Sequence, residues 1–321
     1  MATTYRKTGG ESNKSDAARE RTNRLSFPGR ICYVSIRASR REAAGRGRDA
    51  KRCGVGRAGA VRDVQGTGDT GMKTGEGFGA IVLAAGEGKR MKSSLAKVLH
   101  PVGGVPMLTH SLAAARSAGA RRIVVVVGHQ AERVRCLYRG EGLLFAEQHE
   151  LLGTGHAVLQ AREFFLDYAG AVIILCGDVP LIQPGTLRML FQRHRAGGAA
   201  VTVLTTRPPD PAGYGRVVTA ADGSILRIVE ERDAMEEEKA IGEINTGIYC
   251  VQSGFLFAAV AALGNRNAQQ EYYLTDIVEM AGRKGLRVAS CSAADPQEVM
   301  GINTPEELAA ANRRLEMRGR R

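Results

Sequence analysis

Three strand-length apolar runs, GAIVLA at 79–84, RIVVVV at 122–127 and AVIILC at 171–176, constrain the fold more than any other feature of the chain. They are continuous rather than alternating. A strand that is apolar at nearly every position is buried on both faces, which requires helices on both sides of a parallel sheet. Helical spacing fills the gaps. Met107, Leu108, Leu112 and Ala115 share one face of a segment over 106–119, which Gly119 stops. Further helices are predicted over 130–139, 154–166 and 184–196, with shorter strands at 142–146 and 199–205. Strand and helix alternate every ~20–30 residues, the pattern of an α/β, mostly parallel, doubly wound sheet. The pattern changes after Tyr214. Runs at 216–219 and 225–229 flank Ala221, Asp222 and Gly223, a hairpin signal. With a strand at 243–251 they predict an antiparallel addition over the mouth of the sheet. Helices at 275–284 and 304–314 complete the body.

Charge is unevenly distributed. The net charge is +12, which invites a nucleic-acid reading. Residues 1–71 hold 16 Lys and Arg against 7 Asp and Glu, whereas the rest hold 29 against 26. The body is therefore nearly balanced, and nucleic acid is not its expected partner. Residues 1–71 lack sustained apolar periodicity and are predicted to form a disordered basic extension. Seven acidic residues argue against a targeting peptide. Met72 lies just before the first strand, so we read the extension as a start site assigned too early and residues 72–321 as the domain. No run approaches the roughly 18 apolar residues of a membrane span. The six cysteines form no C-x-x-C pair and fit a reducing, cytoplasmic compartment.

The loop LAAGEGKRM at 83–91 directly follows the first strand, where ligands bind in open α/β sheets. Leu83, Ala84, Ala85, Gly86 and Gly88 are read as a nucleotide-binding loop, in which Gly86 and Gly88 let the backbone approach a phosphate closely and expose N–H groups to it, and Lys89, Arg90 and Lys97 add cations suited to a triphosphate. A dinucleotide turn needs a third glycine where Met91 stands. Asp178 follows the strand 171–176 at its carboxyl edge, where a carboxylate can hold Mg²⁺ or simply cap a turn. Thr304, Pro305 and Glu307 read as a capping box with proline at its first helical position, which leaves Asn303 just outside the helix. Gln148, Gly153 and Thr154 lie on the approach to a helix, and a carboxamide matches the donor and acceptors of a uracil edge. Asn245 interrupts a strand-like run, where asparagine is depleted. His100, His129, His149 and His156 fit no metal spacing.

Beyond these local readings, LAAGEGKRM and KVLH at 97–100 are accompanied by ELLGTGH at 150–156, GDVPL at 177–181, GYGR at 213–216, IVE at 228–230, EINTG at 243–247, NAQQEYYLTD at 267–276 and GIN at 301–303. In this order they resemble the uridylyltransferase domain of the bifunctional GlmU family, the N-acetylglucosamine-1-phosphate uridyltransferases of the sugar nucleotidyltransferases. The resemblance spans about Phe78 to Leu315. It implies a Rossmann-like nucleotidyltransferase fold, with UTP and N-acetylglucosamine 1-phosphate as substrates for a precursor of cell-wall polymers. It further implies Arg90 and Lys97 on the phosphates and Mg²⁺ held by Asp178 and Asn303. Gln148, Gly153 and Thr154 would read uracil, and Gly215, Glu230, Asn245, Tyr273 and Thr275 would contact the sugar. Three positions depart from the family pattern: Cys176 stands for a frequent Tyr, Lys89 for Thr and Ala96 for Pro. The last predicts a less rigid loop. The bifunctional family continues into a left-handed β-helix that acetylates glucosamine 1-phosphate. This chain carries no such repeat, so a separate acetyltransferase is expected to supply the sugar phosphate. Competing readings are another sugar phosphate or nucleotide, a nicotinamide-dependent oxidoreductase and a non-catalytic nucleotide-sugar-binding protein.

Overall fold

The structure is a computed structural model that describes residues 77–319 and the backbone of 26–27 and 30–31. Contacts divide the chain into two units, Met1–Gly71 and Met72–Arg321. In the first, Ser26–Phe27 pairs antiparallel with Arg30–Ile31. The expected disordered extension and the Met72 start otherwise lie outside the described residues.

The second unit is built on a nine-stranded sheet. Its strands are β1 (Phe78–Ala84), β2 (Ala120–Val127), β3 (Leu144–Glu147), β4 (Ala171–Cys176), β5 (Val201–Thr206), β6 (Arg216–Thr219), β7 (Ile225–Val229), β8 (Ile244–Gln252) and β9 (Val288–Ser292). The main path runs β7-β6-β8-β4-β1-β2-β3, with β5 branching from β8 and β9 beyond it. β4, β1, β2 and β3 are parallel, as are β5 and β9. β8 joins them antiparallel to both β4 and β5, and the β6–β7 hairpin extends it. The Rossmann-like, doubly wound sheet and its antiparallel addition are thus both present.

The helices that cover the sheet are α1 (Met107–Ala118), α2 (Ala131–Leu137), α3 (Thr154–Gln160), α4 (Pro184–Gly197), α5 (Ser253–Val260), α6 (Asp276–Arg283) and α7 (Pro305–Gly319). The continuous apolar runs are explained by two cores. Ala80 and Val82 pack with Leu108, Leu112, Val134, Leu187 and Leu190 on one face. Ile81 packs on the other with Val158, Leu256, Ile277 and Val278. Period-two alternation sends neighbouring β1 side chains into opposite cores, so both must be apolar.

Several boundaries follow their sequence signals. Gly119 ends α1 by donating its N–H to Ala115 and Arg116. Thr304 and Glu307 form the expected reciprocal cap at 3.1 and 3.2 Å. The helix expected over 154–166 breaks after Gln160, where Ala161 N bonds Val158 O and the chain tightens into a 3-10 turn. Among the described residues no helix is long and apolar enough to cross a membrane.

Candidate functional site

The carboxyl ends of β1, β2, β3 and β4 meet at one mouth. Gly177 N donates to Leu83 O at 2.8 Å, His129 N to Ala85 O at 3.1 Å and Gln148 N to Val127 O at 2.8 Å. These bonds place 83–91, 128–130, 148–156 and 177–179 side by side. Strand ends supply ligand sites because their last backbone groups have no ladder partner, so loops with functional side chains can be held there rigidly.

Four sequence-predicted residues form one cluster. Lys97 Nζ donates to Asp178 Oδ2 in a short contact and to Asn303 Oδ1 at 2.7 Å. Arg90 Nη2 reaches the same Asn303 oxygen at 2.8 Å. The segment carrying Asn303 is seated by Ile302 N on Asp178 O at 3.0 Å. Asn303 is thus less free than the capping pattern suggested. Its oxygen accepts from two cations, and its Nδ2 is tied to Gly301 O. Lys89 points away: its side chain is 87 % exposed and pairs with Glu87 at 3.2 Å. Of the three cations read from the loop region, the structure brings Arg90 and Lys97 together and leaves Lys89 in solvent.

Gly88 is at φ 73°, and a Cβ there would stand 2.6 Å from Cβ of Lys97. The glycine therefore lets the loop at 83–91 lie directly on the lysine stem. Ahead of Lys97, the carboxamide of Gln130 bridges the loop: Nε2 donates to Ser94 O at 2.6 Å and Oε1 accepts from Ala96 N at 3.2 Å. A proline at 96 would lack that N–H. Here a side-chain clamp holds the segment in place of a fixed φ. Cys176 Sγ lies 3.9 Å from Gly247 O, and burial pushes its thiol up to about 12, so it is neutral in the site.

Gln148 is buried, with Nε2 on Gly153 O and His156 Nδ1, both at 3.1 Å. The Gly153 turn is docked on the segment 272–274. Gly155 N bonds Tyr272 O, Tyr272 N bonds Leu152 O, and Leu274 N bonds Thr154 Oγ1. Segments 148–156 and 272–274 therefore share a seam. Gly153 has φ 104°, and a Cβ there would meet Tyr272 O at 2.8 Å and Tyr272 N at 2.9 Å. Gly153→Ala must strain the backbone and push this seam apart, at a cost of about 1–3 kcal/mol. We predict that it raises the KM for nucleotide about tenfold or more, which initial-rate kinetics will show. An unchanged KM would mean that the turn does not shape the nucleotide site.

The remaining predicted residues gather around β6, β7 and β8. Gly215 O accepts from Asn245 N at 2.8 Å, and a Cβ on Gly215 would lie 3.4 Å from a Glu230 carboxylate oxygen. Thr275 Oγ1 donates to Glu230 at 3.2 Å, and burial raises the Glu230 pKa against that bond. Asn245 is buried, and its Oδ1 accepts from Gly247 N at 3.0 Å. Asn245 does not interrupt the strand: it lies within β8 and pairs with Thr205, and the β8–β5 ladder shifts register only after it, before Tyr249. Tyr273 holds its hydroxyl between Asp233 and Gln269, at 3.1 and 2.9 Å. Glu230, Tyr273 and Thr275 line a cavity of about 370 Å³ together with Asp233, Arg266 and Asn267. Sequence reasoning missed Gln130, which ties down the loop at 94–96, and Asp233 and Gln269, which hold the Tyr273 hydroxyl from 40 and 4 residues away. His156, which fits no metal spacing, contacts Gln148 through Nδ1.

A MobA-like NTP transferase domain model matches residues 80–243. The bifunctional protein GlmU of Geobacter metallireducens is 55 % identical over 235 residues, 73 % of this chain and 49 % of that protein. The protein of the same name from Geobacter sulfurreducens is 52 % identical over 244 residues, 76 % of this chain and 51 % of the relative. That of Desulfotalea psychrophila is 45 % identical over 250 residues, 78 % of this chain and 74 % of the relative. The chain thus spans about half the length of the first two relatives.

Proposed function

The chain belongs to the MobA-like NTP transferase family and groups within it with the GlmU proteins, and from that premise we propose that it transfers UMP from UTP to N-acetylglucosamine 1-phosphate, giving UDP-N-acetylglucosamine and pyrophosphate. The observation that carries the proposal is the convergence of Arg90, Lys97, Asp178 and Asn303 at the strand ends. Two cations there can neutralise a triphosphate, and two oxygens already face a single positive centre.

The attacking sugar phosphate is an anion near neutral pH and needs no general base. Positioning and charge neutralisation then carry catalysis. Arg90 and Lys97 bind the phosphates and stabilise charge that grows on the departing pyrophosphate. Gln148 and the Gly153-Thr154 turn seat the uracil. Gly215, Glu230, Asn245, Tyr273 and Thr275 orient the acetamido sugar so that its phosphate oxygen faces the α-phosphorus in line.

Asp178 and Asn303 fit a divalent cation, because their oxygens already meet at the Lys97 ammonium, a positive group standing between them. Both are hard oxygen donors suited to Mg²⁺. Among the described residues no three His, Cys, Asp or Glu side chains gather around one point. Water and substrate oxygens would therefore complete the shell. When bound, Mg²⁺ supplies charge neutralisation at the triphosphate. We place the activity in residues 72–321 and the protein in the cytoplasm.

Pyrophosphate release tests the reading. With the full chain and Mg²⁺, UTP and N-acetylglucosamine 1-phosphate should give the highest kcat/KM among UTP, dTTP and CTP paired with several sugar 1-phosphates. Chelation with EDTA should abolish turnover, and added Mg²⁺ should restore it. A preference for another sugar or nucleotide would replace the substrate assignment. Nucleotide-sugar binding with no turnover would favour a non-catalytic binding protein.

A further inference from the structure

We infer that His156 makes the cleft choose uracil over cytosine by fixing the rotation of the Gln148 carboxamide; the inference rests on the placement of the base against Gln148 proposed above. The side chain of Gln148 is nearly buried, at 4 % exposure, and its backbone is pinned by Val127 O. Its Nε2 lies 3.1 Å from Gly153 O and 3.1 Å from His156 Nδ1. A carbonyl oxygen only accepts, so the amide group facing Gly153 is NH₂ and not oxygen. The second hydrogen of that NH₂ points to His156. Nδ1 must therefore carry its lone pair, which places the imidazole proton on Nε2.

Both hydrogens of Gln148 are then committed within the protein, and Oε1 is the atom left for a ligand. Uracil presents an N3–H donor on its pairing edge, where cytosine presents a bare N3 acceptor. An outward Oε1 accepts from the first and repels the second. Discrimination by a buried polar group is strong because the wrong partner leaves it unpaired.

The far side of the ring agrees with this tautomer only if Gln160 also takes one orientation. The Gln160 carboxamide nitrogen stands 3.1 Å from His156 Nε2 and 3.1 Å from the His156 carbonyl. Two N–H groups do not bond each other, so Gln160 must turn its oxygen to Nε2–H and swing off the His156 carbonyl, giving up that bond. Gln160 is half-buried on α3 and can rotate. Gln148 cannot, because the Gly153 carbonyl that orients it belongs to the rigid seam with Tyr272. The ring of His156 also packs near that of Tyr272, with centroids 6.2 Å apart.

The test compares UTP with CTP in the wild type, His156→Asn and His156→Leu. An asparagine oxygen can accept in place of Nδ1, whereas leucine cannot. His156→Leu should lower kcat/KM for UTP about tenfold, leave that for CTP within about twofold, and leave the KM for sugar phosphate unchanged. His156→Asn should keep most of the UTP preference. Should leucine unsettle the fold, His156→Phe retains the ring against Tyr272 and removes the acceptor. Calorimetric binding of UTP and CTP gives the same ratio without turnover. An unchanged UTP-to-CTP ratio in the leucine or phenylalanine variant overturns the inference, as does an equal loss with both nucleotides. A wild type that binds both alike overturns the inference and the placement of the base. Lost discrimination in the variant, with no pyrophosphate formed by the wild type, supports the inference and refutes the catalytic reading.

Discussion

Replacing Lys97 with alanine should lower kcat for pyrophosphate release by about 100-fold or more, in line with removing one preorganised electrostatic stabiliser. The lysine side chain is 14 % exposed and its ammonium faces the carboxylate of Asp178 and the amide oxygen of Asn303. On the proposed function, a cation so placed would meet the phosphates with little water between, where its interaction is much stronger than in bulk solvent. The variant also separates chemistry from folding. Alanine keeps the Cβ on which Gly88 rests. The Gln130 clamp that sets the preceding loop is likewise untouched. Thermal unfolding should therefore stay close to that of the wild type while turnover collapses. A larger drop in kcat than rise in the KM for UTP would place the interaction mainly in the transition state. Turnover within about threefold of wild type would remove Lys97 from the catalytic machinery.

Much of this site was legible because its parts carry local signals. Asp178 follows a strand, the loop at 83–91 follows another, and Thr304 to Glu307 form a cap whose bonds span three residues. The meeting of these parts was not legible from spacing. Arg90 and Asn303 are 213 residues apart, and Lys97 and Asn303 are 206 apart. Nothing local to Lys89 distinguishes it from Arg90; only the three-dimensional placement leaves one in solvent and turns the other to Asn303. The same limit hid two elements. Ser253–Val260 is apolar almost throughout, so no stripe marks it as a helix packed between elements. Val288–Ser292 has the mixed run VASCS and becomes a strand by parallel pairing with Val201–Thr206.

The largest effect on stability should come from Arg216→Ala, at about 3 kcal/mol, read from the midpoint of urea unfolding with an unchanged slope. Arg216 is 2 % exposed and is among the largest fully buried side chains. Its guanidinium donates to Tyr214 O in a short bond and to Lys239 O at 3.3 Å, and it pairs with Glu231 at 2.8 Å. Alanine removes these donors together, leaves the carbonyls without them and opens a cavity. The Glu231 side chain is 32 % exposed, but its Oε2, the oxygen that faces Arg216, is buried with no hydrogen-bond partner among the described residues, so alanine leaves that oxygen stranded. Arg216→Met separates the contributions. It refills most of the volume without restoring a donor, so it should recover only the cavity share, about 1 kcal/mol. Because Arg216 holds Tyr214, and Gly215 O in turn holds Asn245, both variants should also raise the KM for the sugar phosphate more than that for UTP. If Arg216→Ala unfolds within about 1 kcal/mol of wild type, the buried guanidinium is not what fixes the antiparallel addition over the sheet. If stability falls while both KM values stay put, the loop at 213–216 supports the fold and does not shape the sugar site.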